Sequence, residues 1–171
     1  ENIIGYYQKK LIGFFHVQML EKQFEETTDY EIKVSKGFTE LKSTANTVLA
    51  NERLTNYRKT DFDKSKIGRM LFTGFSKCLY QHTKFGSDTE RRFSIILEQD
   101  SIKWFKPVKG QFQIHYKFSN DTPEYIPDFV AETKDKIYMI ETKAKNQMDS
   151  QEVLSKKEAA LQWCSRATEH N

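Results

Sequence analysis

The sequence predicts an α/β protein, and three observations carry that expectation. From Ser87 onward the patterns run helix, strand, strand, strand, strand, helix, the order of a layered α/β sandwich. Gln111 to Phe118 alternates, with Phe112, Ile114, Tyr116 and Phe118 on one face and Gln111, Gln113, His115 and Lys117 on the other. That is the period of a half-exposed strand. Charged residues make up 30% and hydrophobic residues 37% of the 171, which suits one folded core and argues against disorder.

Residues 1 to about 26 read as a helix, with Ile4, Leu11, Phe15 and Met19 near helical spacing. Thr27-Thr28-Asp29 ends it, and Tyr30 to Val34 alternates as a short strand before Ser35-Lys36-Gly37. Between Phe38 and Arg58 threonines and asparagines leave helix and extended chain open. The segment 52–69 is basic, with Arg53, Arg58, Lys59, Lys64, Lys66 and Arg69 against Glu52, Asp61 and Asp63. Ile67 to Tyr80 is apolar enough to be buried, but Gly68 and Gly74 blur its type.

Ser87 with Glu90 forms a capping box, and Phe93, Ile96 and Leu97 give the stripe of a short amphipathic helix ending near Gln99. Ile102 to Phe105 reads as a strand, and Pro107 and Gly110 mark a turn. Two further strands follow, Tyr125 to Val130 and Lys136 to Lys143, joined by the polar turn Glu132 to Asp135. Apolar residues on both faces of the second predict a strand covered on both sides. A final helix spans about Ser150 to Ala167 with Val153, Leu154, Ala160, Leu161 and Cys164 as its apolar stripe. Trp163 and Cys164 are expected in the core. The domain organisation expected is a helix-plus-strand segment over 1–66 and a core over 67–171.

The chemistry sits on the paired strands, as Pro127-Asp128 and Glu141-Thr142-Lys143. In a strand Glu141 and Lys143 share a face and stand roughly 7 Å apart at Cα, while Thr142 takes the other face. Two carboxylates can hold a hard divalent cation, and a lysine beside them can orient or deprotonate a water. Against this stands a plainer reading, a Glu and a Lys entering solvent at a strand end. Glu90 likewise has two readings that exclude each other for one rotamer: helix cap, or third carboxylate of the site.

These residues resemble the PD-(D/E)xK nuclease motif, intact here as Pro127-Asp128 and Glu141-Thr142-Lys143. The wider pattern is similar to the C-terminal endonuclease domain of type III restriction enzymes. It covers the helix start Ser87 to Phe93, Ile102 to Pro107, Tyr125 to Phe129 and Ile140 to Lys143. The resemblance implies a restriction-endonuclease-like core, a central mixed sheet flanked by helices. It implies a DNA endonuclease using Mg²⁺, with Mn²⁺ as substitute. Asp128, Glu141 and Glu90 would be the acids, the Thr142 main-chain carbonyl a further ligand, its side chain pointing away, and Lys143 the group acting on the water. Its implied partners are double-stranded DNA, an upstream ATP-driven helicase or translocase and a methyltransferase/recognition subunit. One departure is Ala144-Lys145-Asn146 after the lysine, where glycine is frequent in the family.

Lys103, Lys106, Lys109 and Lys117, interleaved with Trp104 and Phe105, form an acid-free basic stretch that could contact phosphates. Lys145, Lys156, Lys157 and Gln162 are further candidates, each against the alternative of a solvated surface charge. A net charge of +3 permits nucleic-acid binding without demanding it. The competing function is a catalytically silent nucleic-acid-binding or protein-docking module of the same fold. Two cysteines exclude a disulfide framework and fit a reducing cytoplasm. No Walker-type glycine loop is present, the four histidines lack ligand spacing, and Leu11 to Phe15 is far short of a membrane span. The chain opens on Glu1 and is read as one domain of a longer polypeptide.

Overall fold

A computed structural model of the chain describes residues 3–22, 40–44, 46, 54–118, 121–143 and 150–170. The chain divides into two units, Glu1–Lys33 and Val34–Asn171. The first contains helix α1, Ile3–Lys22. Leu11, Phe15 and Met19 are exposed on it, and so are Ile12 and Phe14, so its apolar side chains surround the helix and form no single stripe. The strand expected at Tyr30 to Val34 lies outside the described residues.

The second unit is α/β. Strand β1 (Thr55–Asn56) pairs in parallel with β2 (Phe72–Thr73), and a 3₁₀ helix over Lys64–Arg69 lies between them. Helix α2, Asp88–Asp100, starts where the sequence predicts: Ser87 Oγ accepts the Glu90 N–H at 3.2 Å. Strands β3 (Lys103–Phe105), β6 (Phe129–Glu132) and β7 (Ile137–Ile140) form an antiparallel sheet in the order β3-β6-β7. The other edge of β3 meets Cys78 in a parallel bridge at Trp104. Strands β4 (Ile114–His115) and β5 (Glu124–Tyr125) make a separate antiparallel pair. Helix α3, Gln151–Glu169, is capped by Ser150 Oγ on the Val153 N–H at 3.4 Å.

One core joins Tyr57, Ile67, Phe72, Phe85, Leu97, Trp104, Phe129 and Ala131. Trp104 meets Phe75 and Phe129 edge-on, at ring centroid distances of 5.3 and 5.8 Å. The boundary drawn at Lys66 and Ile67 falls inside this unit, since Tyr57 shares a core with Ile67 and Trp104. A second cluster packs Ile114, Tyr116 and Tyr125 against Ala159, Ala160 and Trp163 of α3, with Phe112 and Met139 alongside. Among the described residues no helix is long and apolar enough to cross a membrane.

Several expectations need correction. Among the described residues β7 is the edge of its sheet, with Ile137 and Tyr138 exposed, and the strand covered on both faces is β6. The alternating run Gln111 to Phe118 is strand only at Ile114–His115, because Gln113 takes a left-handed φ of 53° that breaks the pleat. Gln111 is buried, its side-chain amide spent on Lys42 N–H and the Glu40 carbonyl, while Phe118 is exposed. On α2, Ile96 is exposed and the buried face is Glu90, Arg91, Ser94, Leu97 and Glu98. On α3, Ala160 and Trp163 pack against the second cluster as expected, together with Ala159, whereas Leu154 and Leu161 are exposed.

Candidate active site

Four chain segments end around one volume. Lys106 follows β3, Asp128 precedes β6, Glu141 to Lys143 follow β7, and Glu90 lies in the first turn of α2. The ladder of β6 and β7 has Phe129 opposite Ile140, so one step further Asp128 stands across from Glu141. The buried Pro127 denies the chain a ladder N–H there and ends the pairing. The run Tyr125 to Val130 is thus split: Tyr125 pairs with Ile114, and β6 starts only at Phe129.

Asp128 Oδ2 accepts two hydrogen bonds from Thr142, from its N–H at 2.8 Å and its Oγ1 at 2.6 Å. The Thr142 side chain therefore points at Asp128, contrary to the alternation expected of a continuing strand. The reason is that β7 stops at Ile140, and beyond it the chain turns across the end of β6. Lys143 Nζ lies 2.8 Å from Glu141 Oε1, so these two do share a side. Glu141 Oε2 is buried and, among the described residues, receives no hydrogen bond. The neighbouring Tyr125 phenol is pushed up by burial, then by the Glu141 and Asp128 carboxylates. That electrostatic proximity does not extend to a hydrogen bond of normal geometry on Oε2.

Glu90 makes the helix cap, one of the two readings the sequence offers, and in the same rotamer pairs with Lys106. Its carboxylate reaches back to the Gly86 N–H at 3.1 Å and the Ser87 hydroxyl at 3.4 Å. The same Oε2 meets Lys106 Nζ at 2.5 Å. Lys106 in turn is 3.8 Å from Asp128 Oδ1 and its Nζ is 5.3 Å from the centroid of the Phe129 ring. Sequence reasoning placed Lys106 on an outer basic strip; its side chain is only 26% exposed and lies among the acids. The signal for this was thin: a lysine held between the strand ending at Phe105 and the buried Pro107.

The remaining basic candidates are dispersed. Lys103 pairs with Glu132 at 2.9 Å, and Lys109 is exposed. Lys156 pairs with Glu152 at 2.6 Å and lies over the Tyr116 ring, so its charge is already partnered. Lys157 and Gln162 are exposed on α3, and Lys145 lies outside the described residues.

A hard cation takes oxygen ligands that no protein donor occupies. Among the described residues Glu141 Oε2 meets that condition, and Asp128 Oδ1 has only the long contact to Lys106. Among the described residues no three His, Cys, Asp or Glu side chains converge in a manner that could hold a metal ion. Asp128 and Glu141 thus each leave one carboxylate oxygen without a close donor among the described residues, while Glu90 is paired with Lys106. No protein-family model matches this chain, and neither does any curated protein or solved structure.

Proposed function

We propose that the second unit is a Mg²⁺-dependent DNA endonuclease domain of restriction-endonuclease-like fold, acting in the cytoplasm as the cleavage module of a helicase-coupled, type III-like restriction system. The observation that carries this reading is the pair Asp128 and Glu141, set across from each other at the ends of β6 and β7, with one buried Glu141 oxygen lacking a hydrogen bond. Asp128, Glu141 and the Thr142 main-chain carbonyl would hold the cation, which supplies Lewis acidity toward the scissile phosphate. Thr142 fixes the Asp128 carboxylate with two hydrogen bonds, which leaves Oδ1 directed to the site. Lys143, held on Glu141, orients the attacking water or offsets charge developing on the phosphate oxygens.

Plasmid cleavage in Mg²⁺ or Mn²⁺ tests the reading. Asp128→Ala and Lys143→Ala should each lower cleavage by at least about 100-fold. Cutting retained in both variants rejects the assignment. A second reading, a silent binding module, draws on the absence of a three-acid cluster among the described residues. It predicts salt-sensitive DNA binding and no metal-dependent cutting in the native chain.

A further inference from the structure

The hydrolysis reading leaves Lys106 unused, although its ammonium lies between two acids. It is 2.5 Å from Glu90 Oε2 and 3.8 Å from Asp128 Oδ1. Glu90 is itself fixed by the Gly86 N–H and the Ser87 hydroxyl, so the short contact is to an anchored carboxylate. The long contact is to the carboxylate oxygen that Thr142 leaves open.

We infer that Lys106 is a built-in counter-ion, tethered by Glu90, that neutralises Asp128 until a divalent cation takes its place there. The inference rests on Asp128 and Glu141 as the cation-holding pair. A fixed positive charge about 4 Å from a ligand oxygen repels a dication, and water screens it weakly where the side chains are 12–26% exposed. Lys106 therefore lowers cation affinity and ties Glu90 away from the ion. The native protein should take the cation weakly, and more readily once an anionic phosphate draws the ammonium from Asp128.

The test is Mn²⁺ titration of the full chain, reading free Mn²⁺ by electron paramagnetic resonance. Lys106→Met should tighten Mn²⁺ binding by about tenfold or more. Lys106→Arg, which keeps the charge, should bind as the native chain does. The gain should vanish in Lys106→Met combined with Asp128→Asn. Thermal melting checks that each variant is folded, and the Arg variant supplies the comparison if Met perturbs the fold. No gain in Lys106→Met, or weaker binding in Lys106→Arg than in Lys106→Met by less than about twofold, overturns the inference. So does a gain that survives Asp128→Asn. Failure of the functional reading looks different: Asp128→Asn and Glu141→Gln alone would bind Mn²⁺ like the native chain.

Discussion

Glu98 and Glu141 both withdraw carboxylate oxygens from water, and they are held in opposite ways. Glu98, at the far end of α2 from Glu90, is 8% exposed. Its oxygens accept the Ser76 N–H at 2.8 Å, the Lys77 N–H at 3.0 Å, the Cys78 N–H at 3.2 Å and the Trp104 indole N–H at 2.8 Å. It binds one loop to the core, and its bonding capacity is filled by protein. Glu141 has a lysine on one oxygen and, among the described residues, no hydrogen bond on the other. A buried anion surrounded by donors is a structural joint, whereas one left half-bonded costs stability unless something else completes it. The two carboxylates therefore separate the frame of the unit from the site proposed for the cation.

The sharpest way to break this comparison is to remove Glu98. Glu98→Ala strips the acceptor from three main-chain N–H groups and an indole, and should cost about 3–5 kcal/mol. Urea unfolding measures it, and a loss under about 1 kcal/mol would show that Glu98 is not the joint described. Asp88→Asn comes next. Asp88 holds the buried Arg91 at 2.7 Å, and asparagine keeps an acceptor there but removes the counter-charge, leaving the guanidinium paired with neutral groups such as the Tyr57 carbonyl and the Phe62 ring face. The cost should be about 2–3 kcal/mol.

Asp88 also sets a pH dependence. Burial pushes its carboxyl up, but Lys64 and Arg91 outweigh that and hold it below the ordinary 3.8. Its stabilisation is then complete above that value and lost as pH falls toward the lowered folded-state one. The acid limb of the stability profile should flatten in Asp88→Asn, and an unchanged limb would contradict the assignment. Glu141→Gln should act in the other sense, raising stability by about 0.5–1 kcal/mol, because a half-bonded charge is removed. The smallest effect belongs to Lys103→Ala, whose exposed pair with Glu132 should contribute less than about 0.5 kcal/mol and fade with salt.

What could be read in advance followed the same division. Local signals were legible: Ser87 with Glu90 starts α2, and a polar turn joins β6 to β7 where expected. That Glu141 and Lys143 share a side follows from spacing within three residues; their ion pair at 2.8 Å does not. Thr142 turned out differently because the strand ends at Ile140, a boundary that alternation does not mark. Lys106 was misplaced because its partners Glu90 and Asp128 lie 16 and 22 positions away along the chain, so only tertiary packing unites them. On α3 Ala160 and Trp163 pack as expected, whereas Leu154 and Leu161 are exposed because the helix turns Ala159, Ala160 and Trp163 to the cluster of Ile114, Tyr116 and Tyr125. On α2, the buried polar face of Arg91, Ser94 and Glu98 is invisible to any pattern that seeks apolar stripes.

Diffraction from crystals soaked in Mn²⁺ tests the central claim most directly. The account predicts an anomalous peak within about 2.0–2.3 Å of an oxygen of both Asp128 and Glu141, with Lys106 Nζ moved off Asp128 and still on Glu90. Ordered Mn²⁺ bound elsewhere, with Glu141 Oε2 still bare, would contradict it.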